Sequence, residues 1–363
     1  MRERCVNTGV MPTRPEQTVV KAASPADLLA LLPHLVGFEP RESVVFVPFR
    51  GKRSHGALRL DLPVTPKGYK GFVTFAIGTL CKMSDIEGMA VVIVTDAESS
   101  DSVPLRDLAE VAMRRIRHAG FALKEALWQT QWGWGSYLDE SARGSLSEIR
   151  ESEVNRHVPP LESEAHPIGT ASAELIEMVE SQIDRVRDEG PAAEMDLVDL
   201  FENALELAPA ELGQHTPLFL SLLQSPPIRD AVMLQWASEA KFHDVIWDAS
   251  DTTYEPTEEE RKFIGDRMLG IGSRPDPARI EAGISLLHRL LYFAAPQRRP
   301  PLLCMLGWLN WALGRGSIAG KHVDEALALR PDYGMAEVLA TILHNGMLPE
   351  WAFASEHPSK IGT

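Results

Sequence analysis

The hydrophobic periodicity of the chain changes character once, and that change limits the available folds more than any other feature. Up to residue 138, β-branched and apolar runs alternate with amphipathic stretches; from about Ser172 onward apolar residues recur only at helical spacing. The strand-like runs are Ser43–Phe49, His55–Leu62, Met89–Thr95 and Phe121–Tyr137, the last as one long strand or two short ones. Met89–Thr95 is nearly all apolar, as expected of a strand covered on both faces. Pro66–Met83 and Pro104–Ala119 read as helices. An earlier helix opens at Ser24-Pro25-Ala26-Asp27. There Ser24 can cap, Pro25 sits where its missing N–H is harmless, and Asp27 suits the positive end. Pro33 interrupts its ladder, Gly37 ends it and Pro40 follows. Strands alternating with helices predict a layered α/β domain. The hairpin across Arg50-Gly51-Lys52-Arg53 predicts a mixed sheet with helices on its faces.

Residues 139–171 lose this pattern. Asp139, Glu140, Pro159, Pro160 and Pro167 fall there, so the stretch reads as a linker. The expected division is a loose arm at 1–22, an α/β domain at 23–138, the linker at 139–171, an all-helical domain at 172–349 and a tail at 350–363. Helices are expected at 173–188, 194–207, 217–223, 229–240, 257–269, 277–293, 301–313, 319–329 and 333–345. Residues 300–333 match most of a tetratricopeptide unit, through Leu303, Leu306-Gly307, Gly314, Ala319, Val323, Ala326 and Pro331. Asn310 departs from it, standing where an aromatic is usual. One such unit cannot bury its own face, so the preceding helices must cover it.

Charge and cysteine count then exclude several classes of function. Lys and Arg number 36 against 51 Asp and Glu, a net charge of −15. That field repels phosphate backbones and anionic lipid, so neither nucleic acid nor a membrane surface is an expected partner. Cys5, Cys81 and Cys304 are too few and too scattered for a disulfide framework or a zinc site, which fits a reducing, cytoplasmic setting. No apolar run reaches the roughly 18 residues of a membrane span.

No complete catalytic motif stands out. Gly314-Arg315-Gly316-Ser317-Ile318-Ala319-Gly320-Lys321-His322 looks briefly like a phosphate loop. Arg315 occupies a required glycine and His322 replaces the Ser or Thr, so it reads as a turn between helices. The histidines show no metal spacing, and no Gly-x-Ser-x-Gly elbow exists. No catalytic residue, metal or cofactor is expected. The candidate ligand site is Asp96, Trp134, Ser136 and Tyr137. Asp96 ends the buried strand, where ligands gather in open α/β sheets. Trp128, Trp132 and Trp134 share one parity, and Gly133 and Gly135 leave the other face bare. Trp132 is expected in the core, and Trp134 partly accessible.

Several segments together resemble the actinobacterial domain of unknown function family 4192. They are Ser24–Leu29, Leu35-Val36-Gly37-Phe38-Glu39-Pro40, Glu42–Val45, Leu58–Pro63, Trp134–Leu138 and Pro227-Ile228-Arg229-Asp230. The resemblance covers most of the chain from Ala23 to Pro349. It implies an origin and an architecture but no reaction. Members often place cysteines after the Ser-Tyr-Leu segment; here Asp139 follows Leu138. The expected function is a non-catalytic binding or scaffolding protein acting on a protein partner. The alternative is a small-molecule-binding protein or enzyme with its site at the carboxyl edge of the sheet.

Overall fold

The computed structural model describes residues 22–37, 39–54, 56–96, 103–158, 169–189, 195–251 and 253–352. The expected N-terminal arm through residue 21, linker residues 159–168 and tail residues 353–363 lie outside them. The first half runs α1 (Pro25–Val36), β1 (Ser43–Arg50), β2 (Arg53–Ser54), β3 (Leu58–Asp61), α2 (Tyr69–Leu80), β4 (Gly88–Val94), α3 (Arg106–His118), β5 (Ala122–Thr130), β6 (Gly133–Ser136) and β7 (Arg143–Gly144). The sheet order is β2-β1-β4-β5-β6-β7, and β3 pairs with β1. Only β4 and β5 run parallel, so the sheet is mixed.

Alternation along each strand sends neighbouring side chains to opposite faces. Val44, Phe46, Val91 and Ile93 pack beneath Val73 and Ile77 of α2 and Leu108 and Ile116 of α3. Val45, Val47, Ala90 and Val92 pack on Leu29, Leu32 and Val36 of α1. β4 is buried along its whole length, which explains its continuous apolar run. The α1 start is the expected one: Ser24 Oγ accepts from Asp27 N at 3.2 Å, and Asp27 Oδ2 accepts from Ser24 N at 3.0 Å.

The stretch 139–158 is less featureless than its sequence suggests. After β7 come α4 (Leu146–Arg150) and α5 (Val154–His157). Val154 is buried, Ile149 packs on the α1 core, and Ser152 Oγ donates to Asp27 Oδ1 at 2.6 Å. Burial opposes the Asp27 carboxylate, but bonds from Ser152, Ala23 and Ser24 outweigh it and hold its pKa below the usual value. Helices this short carry no periodic signal, which is why the sequence pattern missed them.

The second half is helical: α6 (Ala173–Glu189), α7 (Leu197–Asn203), α8 (Pro209–Leu222), α9 (Pro226–Trp236), α10 (His243–Asp248), α11 (Glu258–Met268), α12 (Pro277–Phe293), α13 (Arg299–Ala312), α14 (Gly316–Leu329) and α15 (Gly334–His344). Every residue of α13 from Pro300 to Ala312 is buried, so it is the central helix, with α9, α12, α14 and α15 around it. The helix expected at 217–223 begins eight residues earlier, at Pro209, and absorbs Pro217, which reads locally as a start signal. Among the described residues no helix is long and apolar enough to cross a membrane.

Candidate functional site

The sheet has a free edge at β3. Its pairs with β1 are Ser43↔Asp61, Val44↔Leu60, Val45↔Arg59 and Phe46↔Leu58, and Leu62 N donates to Glu42 O at 2.9 Å just beyond them. In an antiparallel ladder the bonded residues alternate, so Leu58 and Leu60 turn their backbone groups to β1 while Arg59 and Asp61 turn theirs outward. Among the described residues no strand pairs with that outer side. Pro48 lies on the same side of β1, between its pairings to β2 and β3. Having no N–H to give, it explains why Gly56 and Ala57, just before β3, do not pair with β1.

The outer side of β3 opens onto a cleft of about 710 Å³. One wall is β3 with Leu35 and Val36 of α1 and Phe72 and Phe75 of α2; the other is the α13–α14 turn, α14 and α15. A second hollow of about 350 Å³ adjoins it past Gly56, Leu58 and Leu313 and reaches Arg274 and Trp351. Two contacts hold the walls in place. Ile318 of α14 is buried in the α1 core, where a Cβ on Gly37 would come within 2.9 Å of its Cδ1. Gly37 also has φ 89°, so glycine is required there twice over. Phe75 of α2 packs against Gly346, just past α15.

Charged groups line this cleft. Arg59 Nη1 pairs with Asp61 Oδ1 at 2.5 Å, and its Nη2 donates to Arg41 O at 3.0 Å. Arg315 pairs with Glu281 of α12, with Nη1 to Oε2 at 3.2 Å. Lys321 and Asp324 complete the set, and the His344 ring lines the same wall. The Gly314–His322 stretch is indeed a turn leading into a helix, yet it forms one wall of the cleft. Sequence reading missed the site because its two walls come from segments more than 200 residues apart. The available signals were Pro48 within a strand and Arg59 in the second hairpin arm.

The four residues singled out from sequence sit elsewhere. Asp96 is exposed at the carboxyl end of β4, and its N–H donates to the Glu42 carboxylate. Glu42 also accepts from Thr95 Oγ1 at 3.2 Å and holds a left-handed backbone with φ 39°. Trp134 belongs to the α1 core and Tyr137 to the α2–α3 core, on opposite faces of the sheet. Tyr137 OH donates to Pro104 O at 2.7 Å, and burial raises its phenol pKa far above the ordinary value. Ser136 Oγ donates to Ala126 O at 3.4 Å and accepts from Leu138 N at 3.0 Å. The expected exposures of the tryptophans are reversed: Trp132 is 70% accessible and Trp134 only 6%. The cause is a tight turn at Gln131-Trp132, which breaks the strand and pairs Trp128 with Gly135, so parity inverts across it. Trp128 then covers Gly135, where a Cβ would fall 2.5 Å from its Cζ2. Gly135 therefore seats a ring from the neighbouring strand, whereas a Cβ on Gly133 would fall 2.6 Å from the carbonyl oxygen of Gly144.

Among the described residues no three His, Cys, Asp or Glu side chains stand together as metal ligands. Cys81 is exposed; Cys304 is buried, which pushes its thiol up to about 12.

The architecture is thus that of a mixed-sheet α/β unit whose free edge faces a helical unit across a cleft. The sequence profile of the Domain of unknown function (DUF4192) matches residues 25–160 and 261–350, and the chain belongs to that family. Both walls of the cleft fall within the matched residues, whereas α7 to α10, and with them Arg229-Asp230, fall in the unmatched insert. No curated protein and no solved structure matches the chain.

Proposed function

We propose that the chain is a cytoplasmic, non-catalytic binding protein that holds an extended segment of another protein in the cleft beside β3. A tetratricopeptide-like hairpin, α13–α14, forms the opposing wall. In this reading the α/β domain of residues 23–138 and the helical domain of 172–349 work as one clamp. The observation that supports it is the pair of outward backbone positions, Arg59 and Asp61, opening onto a cleft rather than bulk solvent. An incoming strand would gain main-chain hydrogen bonds there and side-chain pockets at alternate positions. The test is peptide selection by display against the whole chain, followed by fluorescence anisotropy of the enriched peptides. Binding should vanish when alternate peptide amides are N-methylated, which removes the ladder donors and leaves the protein intact. A selection that enriches nothing, or binding indifferent to N-methylation, overturns the reading.

One observation favours the second reading, a small-molecule site at the carboxyl edge. Glu42 keeps a sparsely populated backbone conformation while its carboxylate gathers Thr95 and the Asp96 N–H. A ligand found by thermal-shift screening and lost in Glu42→Gln would support it.

A further inference from the structure

We infer that, when no partner is bound, the outer edge of β3 is covered by the chain's own residues 353–357, which a partner must displace. The inference rests on the edge reading above and adds to it the regulation of that edge. Its first ground is where the described chain leaves the helical unit. Glu350 N donates to Gly270 O at 2.7 Å, and the buried Trp351 indole donates to Ala312 O at 2.8 Å. These bonds deliver Ala352 to the hollow beside the cleft, which Gly56, Ala57 and Leu58 also line. Residue 353 therefore starts at the amino end of β3, and a segment that continues along the strand runs parallel to it. A tethered segment competes at an effective concentration in the millimolar range, so a weak fit suffices to cover an otherwise open edge. Covering such an edge also keeps it from pairing with other chains at random.

The second ground is a match of length and parity. In a parallel ladder each outward residue bonds to the two partner residues that flank its neighbour. Arg59 and Asp61 together therefore need three alternate partner residues, spread over a run of five. Phe353-Ala354-Ser355-Glu356-His357 is such a run, free of Gly and Pro, and Pro358 follows it. Pro358 also sets the parity: it has no N–H, so a run based on residues 354, 356 and 358 would leave the Asp61 carbonyl without its donor. In the remaining register the Arg59 and Asp61 N–H groups meet the carbonyls of Phe353 and Ser355, and the Ser355 and His357 N–H groups meet the carbonyls of Arg59 and Asp61. Phe353 then joins Leu58 on the α2 side, where Leu80, Met83 and Leu348 line the hollow. Glu356 falls beside Asp61 on the α1 side, a like-charge contact that keeps the segment displaceable.

The experiment is amide hydrogen exchange of the whole chain, followed residue by residue by NMR, for wild type and Ser355→Pro, which removes one ladder donor. The Leu58 and Leu60 amides face β1 and should stay protected in both chains, reporting that the strand is intact. The Arg59 and Asp61 amides should exchange at least tenfold more slowly in wild type than in Ser355→Pro. A synthetic peptide of residues 353–358, added to Ser355→Pro at millimolar concentration, should restore the protection, and its form N-methylated at Ser355 and His357 should not. Peptides enriched by display should bind Ser355→Pro at least tenfold tighter than wild type. Equal exchange in the two chains overturns the inference: fast in both leaves the edge open, and slow in both gives it to another occupant, a second copy where protection grows with protein concentration. Equal affinity of the enriched peptides for the two chains overturns it as well, because a covered edge must cost a partner affinity. If display enriches nothing while the exchange differs, the contact with residues 353–357 stands and the reading of a segment from another protein falls.

Discussion

Acid should unfold this protein through one seam between helices. His288 of α12 and His322 of α14 stand with ring centroids 5.8 Å apart, and neither Nε2 has a hydrogen-bond partner. Burial pushes the His322 imidazole down to about 4 from an ordinary 6.5, and the nearby His288 ring and Lys321 ammonium act in the same direction. Burial lowers His288 as well. Both rings are therefore neutral in the folded state at pH 7. The folded pKa lies below the unfolded one, so the unfolded chain binds protons first as pH falls. Stability is intact above pH 6.5 and is lost between there and pH 4. For His322 alone the loss is about 2 kcal/mol at pH 5 and about 3 kcal/mol once both states are protonated. The assay is urea denaturation followed by tryptophan fluorescence at pH 7.5 and pH 5.0, for wild type and His322→Leu. Carboxylates contribute to both chains and cancel in the comparison. Wild type should lose about 2 kcal/mol more than the variant. Parallel pH dependences for wild type and His322→Leu would refute the reasoning, because the proton uptake must then occur elsewhere.

Other perturbations test the packing. Ala326, fully buried between α13 and α14, should not accept a charge: Ala326→Asp should cost more than ~3 kcal/mol, seen as a large drop in Tm. Gly307→Ala should cost ~1–3 kcal/mol in a chemical melt, because its Cβ would fall 2.8 Å from Val323 Cγ2. Trp134→Ala should cost about 3–5 kcal/mol, whereas Trp132→Ala should change stability by less than ~0.5 kcal/mol while removing most of the acrylamide-quenchable fluorescence; equal costs would contradict the turn at Gln131-Trp132.

The architecture was legible because its signals are local. The continuous run of β4 announces a strand covered on both faces, and the Ser24–Asp27 box announces the start of α1. Where sequence reading failed, a short event overrode a longer pattern. Two turn residues at Gln131-Trp132 inverted the parity of every later side chain, so Trp128 and Trp134 face opposite cores although their spacing is even. Pro217 punctuates the sequence but not α8.

The cleft was illegible for a different reason. No single segment of it looks functional. β3 is a four-residue strand with a basic residue in it, and Gly314–His322 is an unremarkable helix connection. What makes them a site is Ile318 reaching from α14 into the α1 core. With Phe75 packed against Gly346, that docking contact sets a helix with Arg315 and Lys321 opposite an unpaired strand edge. It depends on Gly37, whose absent Cβ leaves room for Ile318 and whose left-handed backbone turns the chain from α1 toward β1. Gly37 reads in sequence as a helix stop; in the fold it also sets the distance between the two walls. Gly37→Ala should therefore do more than strain a cap. It should displace Ile318 and weaken any ligand of the cleft, whereas Gly213→Ala, at an exposed position of α8 with open space for a Cβ, should leave ligand affinity unchanged. If Gly37→Ala lowers Tm but leaves peptide affinity intact, the Ile318 contact does not set the geometry of the cleft.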